Sequence, residues 1–262
     1  MPYADLAEAR LRYRFDGPED GPVLVLSHSL GTDMAMWDDV LPALAEEYRV
    51  LRYDMRGHGK SSVPPGPYTV AMLGGDVLAL LDELGLQRCC FCGLSLGGMI
   101  GIWLGAQAQV RIDKLILANT AARIGTREGW NLRIERVLAG GMESVADEVL
   151  DRWFTPKFRE MYPARFDAMR RTLLATSAEG YAHCCEAIRD MDLTARLHSI
   201  HASSLVVGGT FDVATTPGAG RLLAQSLHRA SYVELQAAHI AAVEQANEFS
   251  RTVLKFLGGQ EK

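Results

Sequence analysis

The chain has no excess of positive charge. Its 27 Lys and Arg are outnumbered by 32 Asp and Glu, for a formal net charge of −5 over 262 residues. Nucleic acids are held first by cationic fields that neutralise phosphates, so no nucleic-acid partner is expected. Long apolar runs are also missing. A stretch such as VLVLSHSL (23–30) is short and ends in polar residues, whereas a membrane helix needs about 20 apolar residues; no membrane partner is expected. The first fifteen residues are charged and have no apolar middle of the kind a secretory signal carries, which makes the cytoplasm the expected location. Cysteines are few: Cys89, Cys90, Cys92, Cys184 and Cys185. An odd number with two adjacent pairs suits reduced thiols better than a disulfide framework. CCFC (89–92) contains the C-x-x-C spacing, but no second pair follows at zinc-site spacing; it reads as a buried strand, and no metal is expected.

What is present is an alternation. Short apolar runs occur at 22–29, 48–55, 88–95, 113–120, 203–210 and 231–238. Helix-like stretches lie between them: MWDDVLPALAEEY, TVAMLGGDVLALLDELG, LGGMIGIWLGAQA, PGAGRLLAQSLH and, after the last run, AAVEQANEFSRTVLKFL. Strand and helix in turn predict an α/β fold with a mostly parallel sheet and helices on both faces. ARLRYRFDG near the start adds an antiparallel edge strand. From about Arg123 to Leu197 no strand is legible, only helical patterns such as MESVADEVLDRWF. The expected organisation is therefore a core of residues 1–122 and 198–262 with a helical cap inserted at 123–197. A cap after a strand's C-terminal end sits over the sheet edge where ligands bind in open α/β folds.

One motif carries chemistry. CGLSLGG (92–98) follows a strand and opens a helix. G-x-S-x-G in that context is a nucleophile elbow: the glycines vacate the space where strand and helix approach, and the serine is left at the tip. Ser95 at a helix N-terminus lies among backbone N–H groups that favour negative charge. A serine hydroxyl needs a base. Of seven histidines, His239 alone directly follows the last strand; His201 and His228 precede strands and fall at the wrong end of the sheet. A base needs a carboxylate to fix its tautomer, and Asp212 follows the run at 203–210. Asp190 and Asp192, within the insertion, are weaker candidates. Ser95, Asp212 and His239 thus stand in the order this fold uses. Oxyanion donors are expected from the backbone N–H of Leu96 and, in the HSLG loop, of Leu30, with Ser29 second; His28 shapes that loop. DMRGHGKSS (54–62) lacks the glycine a phosphate loop needs at position 54 and reads as a Gly-rich turn.

These residues resemble the α/β-hydrolase superfamily over nearly the whole chain. SHSLGTDMAMWDDVLPAL, VLRYDMRGHGKSSVPPGPYTV, FCGLSLGGMIG, LANTAARIGT, RWFTPKF, EGYAHCCEAIRDMDL and AAHIAAVEQANEF are similar to the 3-oxoadipate enol-lactonases of the β-ketoadipate pathway of aromatic breakdown. The common HG of the oxyanion loop is His28–Ser29 here. The resemblance implies a serine hydrolase with no cofactor, acting on a small anionic enol-lactone whose carboxylate needs a cation. Arg123, after a strand end, and Arg133 and Arg136 in the insertion are candidates, each equally readable as a surface arginine. Trp130 and Trp153 either wall the pocket or pack the insertion. Another small ester or lactone, a carbon–carbon bond, and a non-catalytic receptor on the same fold are the alternatives. A dehalogenase would carry Asp at position 95.

Overall fold

The computed structural model describes residues 2–259. Eight strands form one sheet: β1 (Tyr3–Asp5), β2 (Arg10–Asp16), β3 (Val23–Ser27), β4 (Arg49–Tyr53), β5 (Cys89–Leu94), β6 (Ile112–Ala118), β7 (Ser203–Gly209) and β8 (Ala230–Leu235). Their order across the sheet is β1-β2-β4-β3-β5-β6-β7-β8. β1 and β2 are antiparallel to their neighbours and the other pairs are parallel. The six apolar runs coincide with β3 to β8, and the expected antiparallel strand is β2. β1 lies outside it at the edge; its three residues are too few to show an alternation.

The central strands are apolar almost without interruption because both faces are covered. Leu24, Val25 and Leu26 of β3 and Leu115, Ile116 and Leu117 of β6 are fully buried. The helices are α1 (Leu41–Leu44), α2 (Val70–Glu83), α3 (Leu96–Gln107), α4 (Arg127–Gly140), α5 (Ala146–Trp153), α6 (Pro156–Met161), α7 (Pro163–Ala175), α8 (Ala178–Arg189), α9 (Pro217–Gln225), α10 (Ala241–Glu244) and α11 (Ala246–Gly258). α3 packs over β5 and β6 beside α2, and α9 covers β7 and β8. Two expected helices are shorter than their patterns. MWDDVLPALAEEY yields a 3₁₀ turn at Met34–Trp37, capped by the Asp33 carboxylate, and then α1. Pro42 has no N–H to continue a helix through it. The last pattern breaks at Gln245, where φ −128° and ψ 46° leave helical space between α10 and α11.

Register places the site. Ser27 pairs with Gly93, Leu94 with Ala118, Ala118 with Val207 and Gly209 with Leu235. The parallel strands therefore end together, and the residues that follow them emerge at one edge. Helices α4 to α8 all lie between β6 and β7. They are tied to the loop after β8 by two backbone hydrogen bonds, His239 N–H to Arg152 O and Ile240 N–H to Trp153 O, and by Arg165 donating to Val243 O. No described helix is long and apolar enough to cross a membrane. The cysteines are unpaired; those on β5 are in or against the core.

Candidate active site

Ser95 sits between β5 and α3 with φ 56° and ψ −113°, a conformation that costs about 1–3 kcal/mol and persists only where its surroundings impose it. The surroundings do so. Its N–H donates to Ala118 O, and Thr120 Oγ1 donates to its carbonyl. A Cβ at Gly93 would lie 2.1 Å from Gly97 O, and one at Gly97 would lie 2.1 Å from Ser27 O. The glycines of the motif are therefore where two backbones touch.

The three residues expected to act together do meet. Ser95 Oγ is 2.9 Å from His239 Nε2, and His239 Nδ1 is 2.8 Å from Asp212 Oδ2. With Asp212 ionised, Nδ1–H donates to it, leaving Nε2 to accept the serine proton. Burial pushes the Asp212 carboxyl up. The His239 imidazole and hydrogen bonds from His239, Thr215 and Asn119 outweigh burial and hold it at about 2. Its Oδ1 accepts the N–H groups of Ala214 and Thr215. Its Oδ2 accepts Thr215 Oγ1 and Asn119 Nδ2 besides His239. Asn119 and Thr215 were not apparent from sequence. Asn119 adopts φ 45° just beyond β6 and also donates to Ala238 O, so it ties the Asp212 and His239 loops together. Asp190 and Asp192 do not compete: Asp190 binds Arg127 and Arg189, and Asp192 lies 3.8 Å from Arg123.

The N–H of Leu96 has no acceptor among the described residues, although its neighbours Ser95 and Gly97 donate to Ala118 O and His28 O; the N–H of Leu30 is likewise without one. Leu30 and Ser95 line one cavity. The loop carrying Leu30 is fixed by two buried imidazoles. His28 Nδ1–H donates to Ser29 O and its Nε2 accepts Met55 N–H. His58 Nε2 accepts Gly31 N–H. Burial dominates both groups and lowers His28 to about 4 and His58 to about 3, so both are neutral acceptors. The Gly-rich turn at 54–62 is what delivers His58; Gly57 and Gly59 take φ 79° and 55° there. That role for His58 spans 27 residues and had no local signal.

The cavity holds about 670 Å³. Ser95, His239, Leu30, Trp130 and Trp153 line it, and so do Arg133, Arg136 and Arg152. Arg123 does not. Its side chain is 70% exposed and turned toward Asp192, because the chain after β6 leads residue 123 outward before α4 begins. Arg133 is held over the Trp130 ring, 5.1 Å from its centroid. Trp130 is itself fixed by donating to Ile124 O. Glu148 lies among the arginines, bonded to Arg133, Arg136 and Arg152. Neither Arg152 nor Glu148 was singled out by sequence, since both read as ordinary surface charges of an amphipathic helix.

The sequence profile of the α/β-hydrolase fold matches residues 22–246, and the chain belongs to that family. Within it the chain is similar to 3-oxoadipate enol-lactonase 2 of Acinetobacter baylyi, at 40% identity over 94% of this chain and 92% of that one. 3-Oxoadipate enol-lactonase 1 of the same organism is 37% identical over 91% and 90%. Among solved structures, an enol-lactonase from Burkholderia xenovorans LB400 superposes with a TM-score of 0.97 at 47% identity, covering 98% of this chain and 100% of that one.

Proposed function

We propose that the protein hydrolyses 3-oxoadipate enol-lactone to 3-oxoadipate, a ring-opening step of the β-ketoadipate pathway, through an acyl-enzyme on Ser95. The observation that carries this reading is the hydrogen-bonded line from Asp212 through His239 to Ser95, opening into a cavity walled by Arg133, Arg136 and Arg152. The line supplies an activated nucleophile; the arginines supply cations for a small anionic substrate. The likeness to two 3-oxoadipate enol-lactonases and to an enol-lactonase structure supports the choice of lactone.

Ser95 Oγ attacks the lactone carbonyl as its proton passes to His239 Nε2. Asp212 stabilises the imidazolium without taking the proton. The oxyanion accepts the N–H groups of Leu96 and Leu30, each such donor being worth roughly 10²–10³ in rate. The ring C–O bond breaks, and the leaving enolate takes the proton from the His239 imidazolium, which gives the ketone and returns His239 to its neutral form. Water then loses a proton to His239, attacks the acyl carbon and releases Ser95. The product carries one more carboxylate than the substrate. Arg133 holds the substrate carboxylate against the Trp130 and Trp153 walls, and residues 123–197 act as the cap that sets substrate choice.

The test is a spectrophotometric assay on the enol-lactone beside a panel of neutral and anionic esters. The expected result is steady-state turnover with kcat/KM highest on the lactone. No turnover of any ester or lactone would favour a receptor and overturn the reading; equal turnover of neutral and anionic substrates would overturn the substrate class.

A further inference from the structure

Glu148 is the single carboxylate among the described residues that line the cavity. It lies on α5 and accepts from Arg136 at 2.8 Å, from Arg152 at 2.5 Å and, more loosely, from Arg133 at 3.4 Å. Three guanidinium groups this close repel one another, and a counter-charge between them relieves that cost. The mechanism above gives Glu148 no step, yet the group occupies the place a ligand's carboxylate would take.

We propose that Glu148 is an internal competitor for the arginines, a specificity-determining residue that limits how tightly the cavity holds anionic ligands, dicarboxylates above all. The inference rests on the anion-binding reading of the cavity given above. Two arrangements of a carboxylate among arginines predict opposite effects. If Glu148 chiefly positions the arginines, losing it weakens anion binding. If it chiefly occupies them, losing it strengthens binding. The geometry favours occupation. Arg133 is held independently of Glu148: it stacks on Trp130, interacts with the buried Tyr181 hydroxyl, and is only 16% exposed. Arg136 keeps a second anchor at Ser144 O. Both guanidinium groups therefore stay in place when the carboxylate is neutralised, and the cavity's formal charge rises by one. The same competition assists turnover. Hydrolysis of the acyl-enzyme leaves a dianion where the substrate was a monoanion, and a resident carboxylate that reclaims the arginines speeds its departure.

Adipate is a stable dicarboxylate probe. Its dissociation constant is measured by calorimetry on the full chain, wild type against Glu148→Gln, Glu148→Asp and Arg133→Gln, with cooperative thermal unfolding reporting each variant's fold. Glu148→Gln is expected to tighten adipate binding about tenfold, the order of a removed like-charge interaction in a half-exposed site. Glu148→Asp, which keeps the charge, is expected to stay within about threefold of wild type. Unchanged or weaker binding in Glu148→Gln overturns the proposal, as does equal tightening in Glu148→Asp, which would trace the effect to side-chain size. Binding to none of the four proteins overturns it together with the anion-binding reading. Arg133→Gln separates the two: unchanged adipate binding there overturns the Arg133 assignment whatever Glu148 does.

Discussion

Asp212 is 2% exposed and would be costly to keep ionised without partners. Five donors around its two oxygens provide them. Asp212→Asn keeps the shape but offers Nδ1 a donor where it had an acceptor, so His239 is left in the wrong tautomer. The expected loss is about 10⁴-fold in kcat, as for comparable triads, read from steady-state hydrolysis at pH 7; a loss below tenfold would remove Asp212 from the relay. Asn119→Ala takes away one of the five donors and the link to Ala238 O. Its expected cost is about tenfold in kcat with KM unchanged, checked in the same assay. At this scale the sequence showed only what strand ends reveal. Ser95 follows β5 directly, and Asp212 and His239 come three and four residues after the ends of β7 and β8, so a parallel sheet brings them to one edge. Asn119 and His58 act through contacts across the fold and leave no local pattern; Thr215 acts on Asp212 from three residues away, in a turn that no motif marks. Arg123 also follows a strand, but the direction of its side chain is set by how α4 departs.

Among the elements, the turn from β5 into α3 is the least tolerant. Gly97 sits against the end of β3, and a methyl group there would overlap Ser27 O at 2.1 Å. Backbone cannot yield as a side-chain tip does. Gly97→Ala is expected to destabilise by more than about 3 kcal/mol, seen as a lowered urea midpoint or loss of soluble protein; a midpoint equal to wild type would contradict the close approach. β3 to β8 were legible because covered parallel strands read as continuous apolar runs. Helix lengths were less so. Pro42 divides one pattern, and the backbone at Gln245 divides another whose apolar spacing alone is continuous. The helices at 127–189 were legible as helices, but their placement over the loop of His239 depends on hydrogen bonds from His239 N–H and Ile240 N–H to Arg152 O and Trp153 O that no periodicity encodes.

For the whole molecule, His28 and His58 couple the fold to pH. Their folded values, about 4 and about 3, lie below the ordinary histidine value of 6.5. The unfolded chain therefore takes up protons that the folded chain refuses. Their contribution to stability is complete above about pH 6.5 and is lost as pH falls toward 4, with a slope of up to about 1.4 kcal/mol per pH unit for each imidazole. Asp212, held at about 2, adds a further loss below about pH 4. Urea unfolding from pH 7 to pH 4.5 is expected to show a midpoint that falls steadily below pH 6.5; a constant midpoint would mean that the two imidazoles are not held neutral.

The proposed mechanism passes through a covalent ester between Ser95 and the opened lactone. Acid quench during turnover of the enol-lactone, followed by peptide mass spectrometry of wild type and Ser95→Ala, tests it most directly. The predicted result is a peptide containing Ser95 heavier by the mass of the lactone, absent from the variant, together with a fall in the variant's turnover of several orders of magnitude and retained folding. An adduct on another residue, or near-wild-type turnover by Ser95→Ala, would contradict the account.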